Sequence, residues 1–84
     1  MIQVGFQVVS IEPGDLRGIG RDGIGEIPVK DGGSLADAMR MVGLDPAEHY
    51  MTLINGDPVS PENREGRALK DGDQVVVFPP IEGG

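Results

Sequence analysis

Gln74-Val75-Val76-Val77-Phe78 is the most β-prone run of the 84-residue chain, and Pro79-Pro80-Ile81-Glu82-Gly83-Gly84 follows it directly. A nearly all-apolar run of β-branched and aromatic residues predicts a strand that lies centrally in its sheet. Alternation sets Val75 and Val77 on one face and Val76 and Phe78 on the other. One pair is expected to face a helix. The other, assigned to Val76 and Phe78, is expected to form an exposed apolar patch leading into the tail, a feature that marks interfaces. The two prolines cannot continue a ladder but favour an extended, polyproline-like path, so residues 79–84 read as a stiff peg ending in a glycine pair. Glycine has no Cβ, so Gly83 and Gly84 can thread a narrow channel and carry a carboxylate to another enzyme's catalytic groups.

Working backwards, Leu69-Lys70-Asp71-Gly72-Asp73 is a turn, and Pro61 to Gly66 is an irregular crossing. Met51-Thr52-Leu53-Ile54 reads as a strand stopped by Asn55-Gly56-Asp57, a strong hairpin signal, with Val59 on the returning side. Ser34 can cap a helix, with Asp37 as the acidic member of a capping box. Leu35, Ala38, Met39 and Val42 then form one apolar stripe, and Gly43 is placed for the left-handed conformation that ends the helix. At the front, Ile2, Val4, Phe6 and Val8 alternate with polar residues and glycine, predicting a strand over 2–11. Residues 12–23 are expected to be a long, mobile, glycine-rich loop with Leu16 and Ile19 as its sizeable apolar groups. Ile24, Ile27 and Val29 suggest a second strand, and Pro28 suits the edge of a sheet.

The order strand, strand, helix, strand, short strand, strand predicts an α+β fold of the β-grasp type. It implies a mixed sheet of four to five strands with one main helix packed on one face. A chain of this length has room for one core, so the expected organisation is a domain over 1–78 and an extended tail over 79–84. With no cysteine there is no disulfide, thiolate metal site or thiol nucleophile, and sulfur chemistry would have to be borrowed. A formal net charge of −7 with only two lysines, Lys30 and Lys70, argues against nucleic-acid binding and suits a basic protein partner. The N-terminus lacks a basic leader, and no stretch approaches the roughly 20 apolar residues that span a membrane, so a cytoplasmic protein is expected.

Leu53 to Gly84 carries a family resemblance. Ile54-Asn55-Gly56 at a turn, Leu69-Lys70-Asp71-Gly72-Asp73-Gln74-Val75 before the last strand and Phe78-Pro79-Pro80-Ile81-Glu82-Gly83-Gly84 together resemble the ubiquitin-like sulfur carriers. That family includes the small subunit of molybdopterin synthase and the sulfur carrier of thiamine thiazole synthesis. The Ser34 to Leu44 helix is similar to it as well. The resemblance implies a carrier or cosubstrate that is not itself an enzyme. A terminal carboxylate is an anion near neutral pH and a poor electrophile. By analogy, an ATP-using, ubiquitin-activating-type enzyme adenylates Gly84, and persulfide sulfur displaces AMP to leave a thiocarboxylate. The sulfur then goes to an acceptor such as a synthase large subunit or thiazole synthase. The carrier binds no cofactor or metal of its own. Val76, Phe78, Pro79, Pro80, Ile81 and Glu82 are the expected partner-binding residues, with Gly83 and Gly84 at the chemistry.

Phe78-Pro79-Pro80 resembles the molybdopterin branch most, while Gly43-Leu44 and the Asn55-Gly56-Asp57-Pro58-Val59 hairpin look equally like the thiamine carrier. Two other classes stay open: a protein modifier forming isopeptide bonds through Gly84, and an interaction module without terminal chemistry. Gly18-Ile19-Gly20-Arg21-Asp22-Gly23 matches G-x-G-x-x-G, but no helix is predicted after it, so a loop is the better reading. His49 has no second ligand for a metal, and Asp71 and Asp73 read as turn residues.

Overall fold

The elements, in chain order, are β1 (Ile2–Val8), β2 (Ile24–Val29), α1 (Leu35–Val42), β3 (Met51–Ile54), β4 (Asp57–Val59) and β5 (Gln74–Phe78), with a 3-10 turn at Pro61–Asn63 before β5. The structure, a computed structural model, describes residues 1–80. Among these the strands form one five-stranded sheet in the order β2-β1-β5-β3-β4. β5 takes the central place that its apolar run predicts. It runs parallel to β1, with Phe6 opposite Val75 and Val8 opposite Val77, and antiparallel to β3, with Ile54 opposite Val75 and Met51 opposite Phe78. The mixed sheet with one helix on it is the expected β-grasp.

α1 packs on one face. Val4, Phe6, Val8, Ile27, Val29, Ile54, Val75 and Val77 point towards it, and Leu35, Ala38, Met39 and Val42 answer from the helix, all of them buried. The helix begins where the capping box predicts. The Asp37 N–H donates to Ser34 Oγ (3.1 Å) and the Ser34 N–H donates to Asp37 Oδ2 (3.0 Å). It ends at Gly43, whose φ of 102° is left-handed. Leu44 then folds back, buried, with its N–H on the Met39 carbonyl (2.8 Å).

The Ser34 N–H holds the Asp37 carboxyl below its ordinary value of 3.8. A folded-state value below the unfolded one means a stabilisation that is complete above about pH 4 and lost as pH falls through the depressed value. Asp37→Ala is therefore expected to cost about 0.5–1 kcal/mol at neutral pH, a modest figure because the side chain is partly exposed. The gap between variant and wild type should shrink in denaturant titrations below about pH 4; a gap that holds constant into acid would remove the carboxylate from the cap.

β1 stops at Val8, short of the expected end at Ile11. Val9 still donates to the Val77 carbonyl (2.9 Å), but Ser10 turns the chain with a φ of 57°. Residues 12–23 were expected to be a mobile loop, and here they are anchored. Leu16 and Ile19 pack half-buried against the core. Arg17 closes the C-terminal end of α1, with its backbone N–H on the Val42 carbonyl (2.9 Å), Nε on that of Met41 (3.1 Å) and Nη2 on that of Arg40 (3.3 Å). One cation thus serves the orphan carbonyls and the negative end of the helix dipole. Gly25 is required where the loop crosses β2, because a Cβ there would collide with the Gly18 carbonyl oxygen. A strand follows Gly23, so the glycine motif lacks the helix that dinucleotide binding needs.

Both edge strands carry a proline. The Val8 N–H bonds the Gly23 carbonyl (2.8 Å), so alternation turns Ile24, Glu26 and Pro28 of β2 outwards. Pro28 therefore removes no ladder bond, and the outward Ile24 carbonyl is taken by the Gly20 N–H (3.0 Å). In β4, Asp57 faces Ile54 across the Asn55-Gly56 turn, which sets Pro58 outwards in the same way.

Candidate functional site

β5 leaves the sheet at Phe78 beside the start of β3, and the chain continues through Pro79 and Pro80. Val75 and Val77 face the helix; Val76 and Phe78 lie on the open face, half-buried and not fully exposed. Register gathers their neighbours. Leu53 lies opposite Val76 on one side and Pro58 on the other, while Met51 lies opposite Phe78. The open face thus carries an apolar strip, Pro58-Leu53-Val76 with Met51-Phe78 above it. At its upper end Ser10, Met51, Phe78, Pro79 and Pro80 line a shallow, mainly apolar groove. Gln3, Gln7, Glu26 and Gln74 put polar side chains on the rest of that face, beside the exposed Ile24 and Pro28 of the β2 edge. A second, more polar hollow lined by Asp57, Glu62, Asn63 and Arg67 lies along the β4 edge of the sheet.

The structure brings together Val76, Phe78, Pro79 and Pro80 of the expected partner-binding set. Ile81, Glu82, Gly83 and Gly84 lie outside the described residues. Met51, Leu53 and Pro58 were not predicted for this surface. Alternation in Met51–Ile54 could have placed Met51 and Leu53 on one face, but only the pairing with β5 shows that this is the face of Val76.

Arg64 was also missed. In place of an irregular crossing, Pro61–Asn63 forms a 3-10 turn and delivers Arg64, with 0% exposure, into the space between that turn and residues 46–50. Its Nη1 donates to the carbonyls of Pro46 (2.8 Å) and Glu48 (2.7 Å), its Nη2 to that of Tyr50, and its Nε to Thr52 Oγ1 (3.3 Å). The Thr52 hydroxyl in turn donates to the Val59 carbonyl (2.8 Å). The Arg64 carbonyl accepts from the Ala36 N–H at the start of α1 (3.1 Å). Burial pushes the guanidinium below its ordinary value, which is so far above neutrality that it stays charged. Among the described residues no buried side-chain polar atom lacks a partner. Arg64 thereby fixes the arch that leads into Met51, at the wall of the exit groove.

The exit end carries the loop 12–23 and the arch, with Glu12, Asp15, Asp22, Asp45 and Glu48 exposed. His49 is exposed on the arch, and Asp71 and Asp73 are turn-forming: Asp71 accepts from the Gln3 N–H (2.7 Å), and Asp73 from Asn55 Nδ2 (2.9 Å) and the Lys70 N–H (2.8 Å). No group of residues able to hold a metal ion occurs among the described residues.

Among the described residues, one α-helix on a mixed five-stranded sheet whose last strand is central and leads on into Pro79 and Pro80 defines a ubiquitin-like β-grasp protein. The chain belongs to the ThiS family, whose model matches residues 18–84. Two crystal structures share the fold. SAMP1 from Haloferax volcanii aligns over 98% of this chain and 99% of its own at 22% identity and a TM-score of 0.66. H. volcanii small archaeal modifier protein 1 aligns over 96% of this chain and 100% of its own at 21% identity and a TM-score of 0.69. Among curated protein sequences none matches. Small proteins of this ubiquitin-like kind generally serve as carriers in place of catalysts, and they work with ubiquitin-activating-type enzymes and with synthases or target proteins. No helix among the described residues is long and apolar enough to cross a membrane.

Proposed function

We propose that this chain is a cytoplasmic sulfur carrier, with the Gly84 carboxylate as the site that is adenylated and converted to a thiocarboxylate. The observation that carries the reading is the family match, which continues through Gly83 and Gly84. Carboxylate oxygen attacks the α-phosphate of ATP in the partner enzyme, and pyrophosphate leaves. Persulfide sulfur then attacks the acyl carbon and expels AMP, and a thiol cleaves the resulting acyl disulfide to leave the thiocarboxylate. The carrier contributes no acid or base to these steps. Its part is recognition: the strip of Leu53, Val76, Phe78 and Met51 gives an activating enzyme an apolar surface continuous with the groove at Pro79-Pro80, and the acidic exit end suits a basic rim. Molybdopterin synthesis is the favoured destination of the sulfur, with thiamine thiazole close behind.

Intact-protein mass spectrometry tests this. Incubation with the adenylating enzyme, ATP and a persulfide donor is expected to replace one oxygen by sulfur, located by fragmentation at Gly84. No change of mass with an enzyme that demonstrably activates its own carrier would end the sulfur reading. A second reading is supported by the solved relative called a modifier protein: the same adenylate could be passed to a lysine of a target. Branched peptides carrying residues 83–84 on target lysines would favour it.

A further inference from the structure

The amines of the chain are gathered at one end of the fold. Lys30 follows Val29, which pairs with Ile2 at the foot of β1. Lys70 begins the turn before β5, tied to that same foot by the Gly72 N–H on the Gln3 carbonyl (2.8 Å). The α-amino group of Met1 is there too, 3.1 Å from Asp31. Chain departure is at the other end, beyond Phe78. The cations of the loop at that end are arginines: Arg17, engaged with the last carbonyls of α1, and Arg21, exposed on the same loop.

We propose that this partition keeps an activated Gly84 away from every amine of its own chain, so that the folded carrier yields its acyl group to an external nucleophile and not to itself. The inference rests on the proposed activation at Gly84 and names what that activated end is protected from. Attack by a neutral amine forms a C–N bond; the bond to AMP or to a thiol breaks, the leaving group takes the electron pair, and the nitrogen gives its extra proton to water. Lysine and the α-amine release a proton to become nucleophiles, whereas a guanidinium stays protonated and has no amine lone pair to offer. Arginine therefore supplies positive charge at the exit without supplying a reactive nitrogen.

Distance completes the argument. Gln74 to Phe78 is four residue steps, about 13 Å at strand rise, and Pro79 and Pro80 carry the chain on to the groove beside Ser10 and Met51, while the four residues after Pro80 reach at most about 14 Å. Only by doubling straight back along the sheet could the end of the chain approach Gln74, and Lys70 lies on the turn beyond it. Lys30 is two strands further across.

The test needs no activating enzyme, so its failure is distinct from a failure of the adenylation reading. Fusion to an intein releases the chain as a thioester at Gly84, and mass spectrometry follows loss of the thiol with formation of an internal isopeptide, read from the branched peptide. Folded wild type is expected to hydrolyse without closing on itself. The same chain in guanidinium chloride, where β5 no longer separates the ends, is expected to close on Lys70 or Lys30. Folded Arg21→Lys and His49→Lys place an amine at the exit on exposed positions, and closure in them is expected to be at least about tenfold faster than in folded wild type, independent of protein concentration. Closure of folded wild type as fast as the unfolded chain, or no closure in both folded variants, would overturn the proposal.

Discussion

Arg64→Ala is expected to lose about 3–5 kcal/mol of stability, a large part of the roughly 5–10 kcal/mol a domain of this size commands. The substitution leaves the carbonyls of Pro46, Glu48 and Tyr50 and the Thr52 hydroxyl facing a space from which all their donors have gone. Unsatisfied buried acceptors cost more than the bonds they made were worth, because the unfolded chain gives each of them water. The melting temperature should fall by about 15 °C or more. Arg64→Lys retains the charge but cannot span the arch with its single nitrogen, so it is expected to recover only part of the loss. Arg67→Ala, exposed three residues further on, should stay within about 0.5 kcal/mol of wild type. Thermal melts of the three variants decide the matter, and an Arg64→Ala protein melting alongside Arg67→Ala would show that the arch holds without its guanidinium.

Removing Gly83 and Gly84 should have the opposite profile, with no detectable acyl-adenylate and an unchanged melt. The apolar strip on β3 and β5 remains in the truncated chain, so under the proposed recognition it should compete with the full-length chain for the activating enzyme. Adding Phe78→Ser to the truncation is expected to weaken that competition about tenfold or more, the loss typical of an aromatic anchor. Pyrophosphate exchange measures both effects. A truncated chain that fails to inhibit would place recognition in the glycine tail and take it away from the sheet.

Much of this fold could be read from local chemistry. The run Gln74 to Phe78 gave the central strand, Ser34 with Asp37 gave the start of the helix, and Gly43 gave its end, because each depends on neighbours within a few residues. What escaped depends on partners far along the chain. Nothing around Arg64 distinguishes it from a solvated arginine, since the carbonyls it serves belong to residues 46–50. By its neighbours Arg17 is one polar residue in a glycine-rich loop, and the carbonyls it serves belong to the far end of α1. The assignment of faces in β5 followed from alternation, but the extent of the apolar strip required the register with β3, which no local pattern encodes.

The outward prolines of β2 and β4 bear on how such a protein lives in a crowded solution. A molecule that hands cargo from one enzyme to the next must let go as readily as it binds, and open strand edges invite the contacts that are slowest to release, pairings with a second copy of the same sheet. Pro28 and Pro58 each interrupt the row of donors such a pairing would need, and the 12–23 loop occupies one more position at Ile24. Edge-to-edge encounters are thereby discouraged, and the broad face is left for contacts made by side chains, which end when those side chains part.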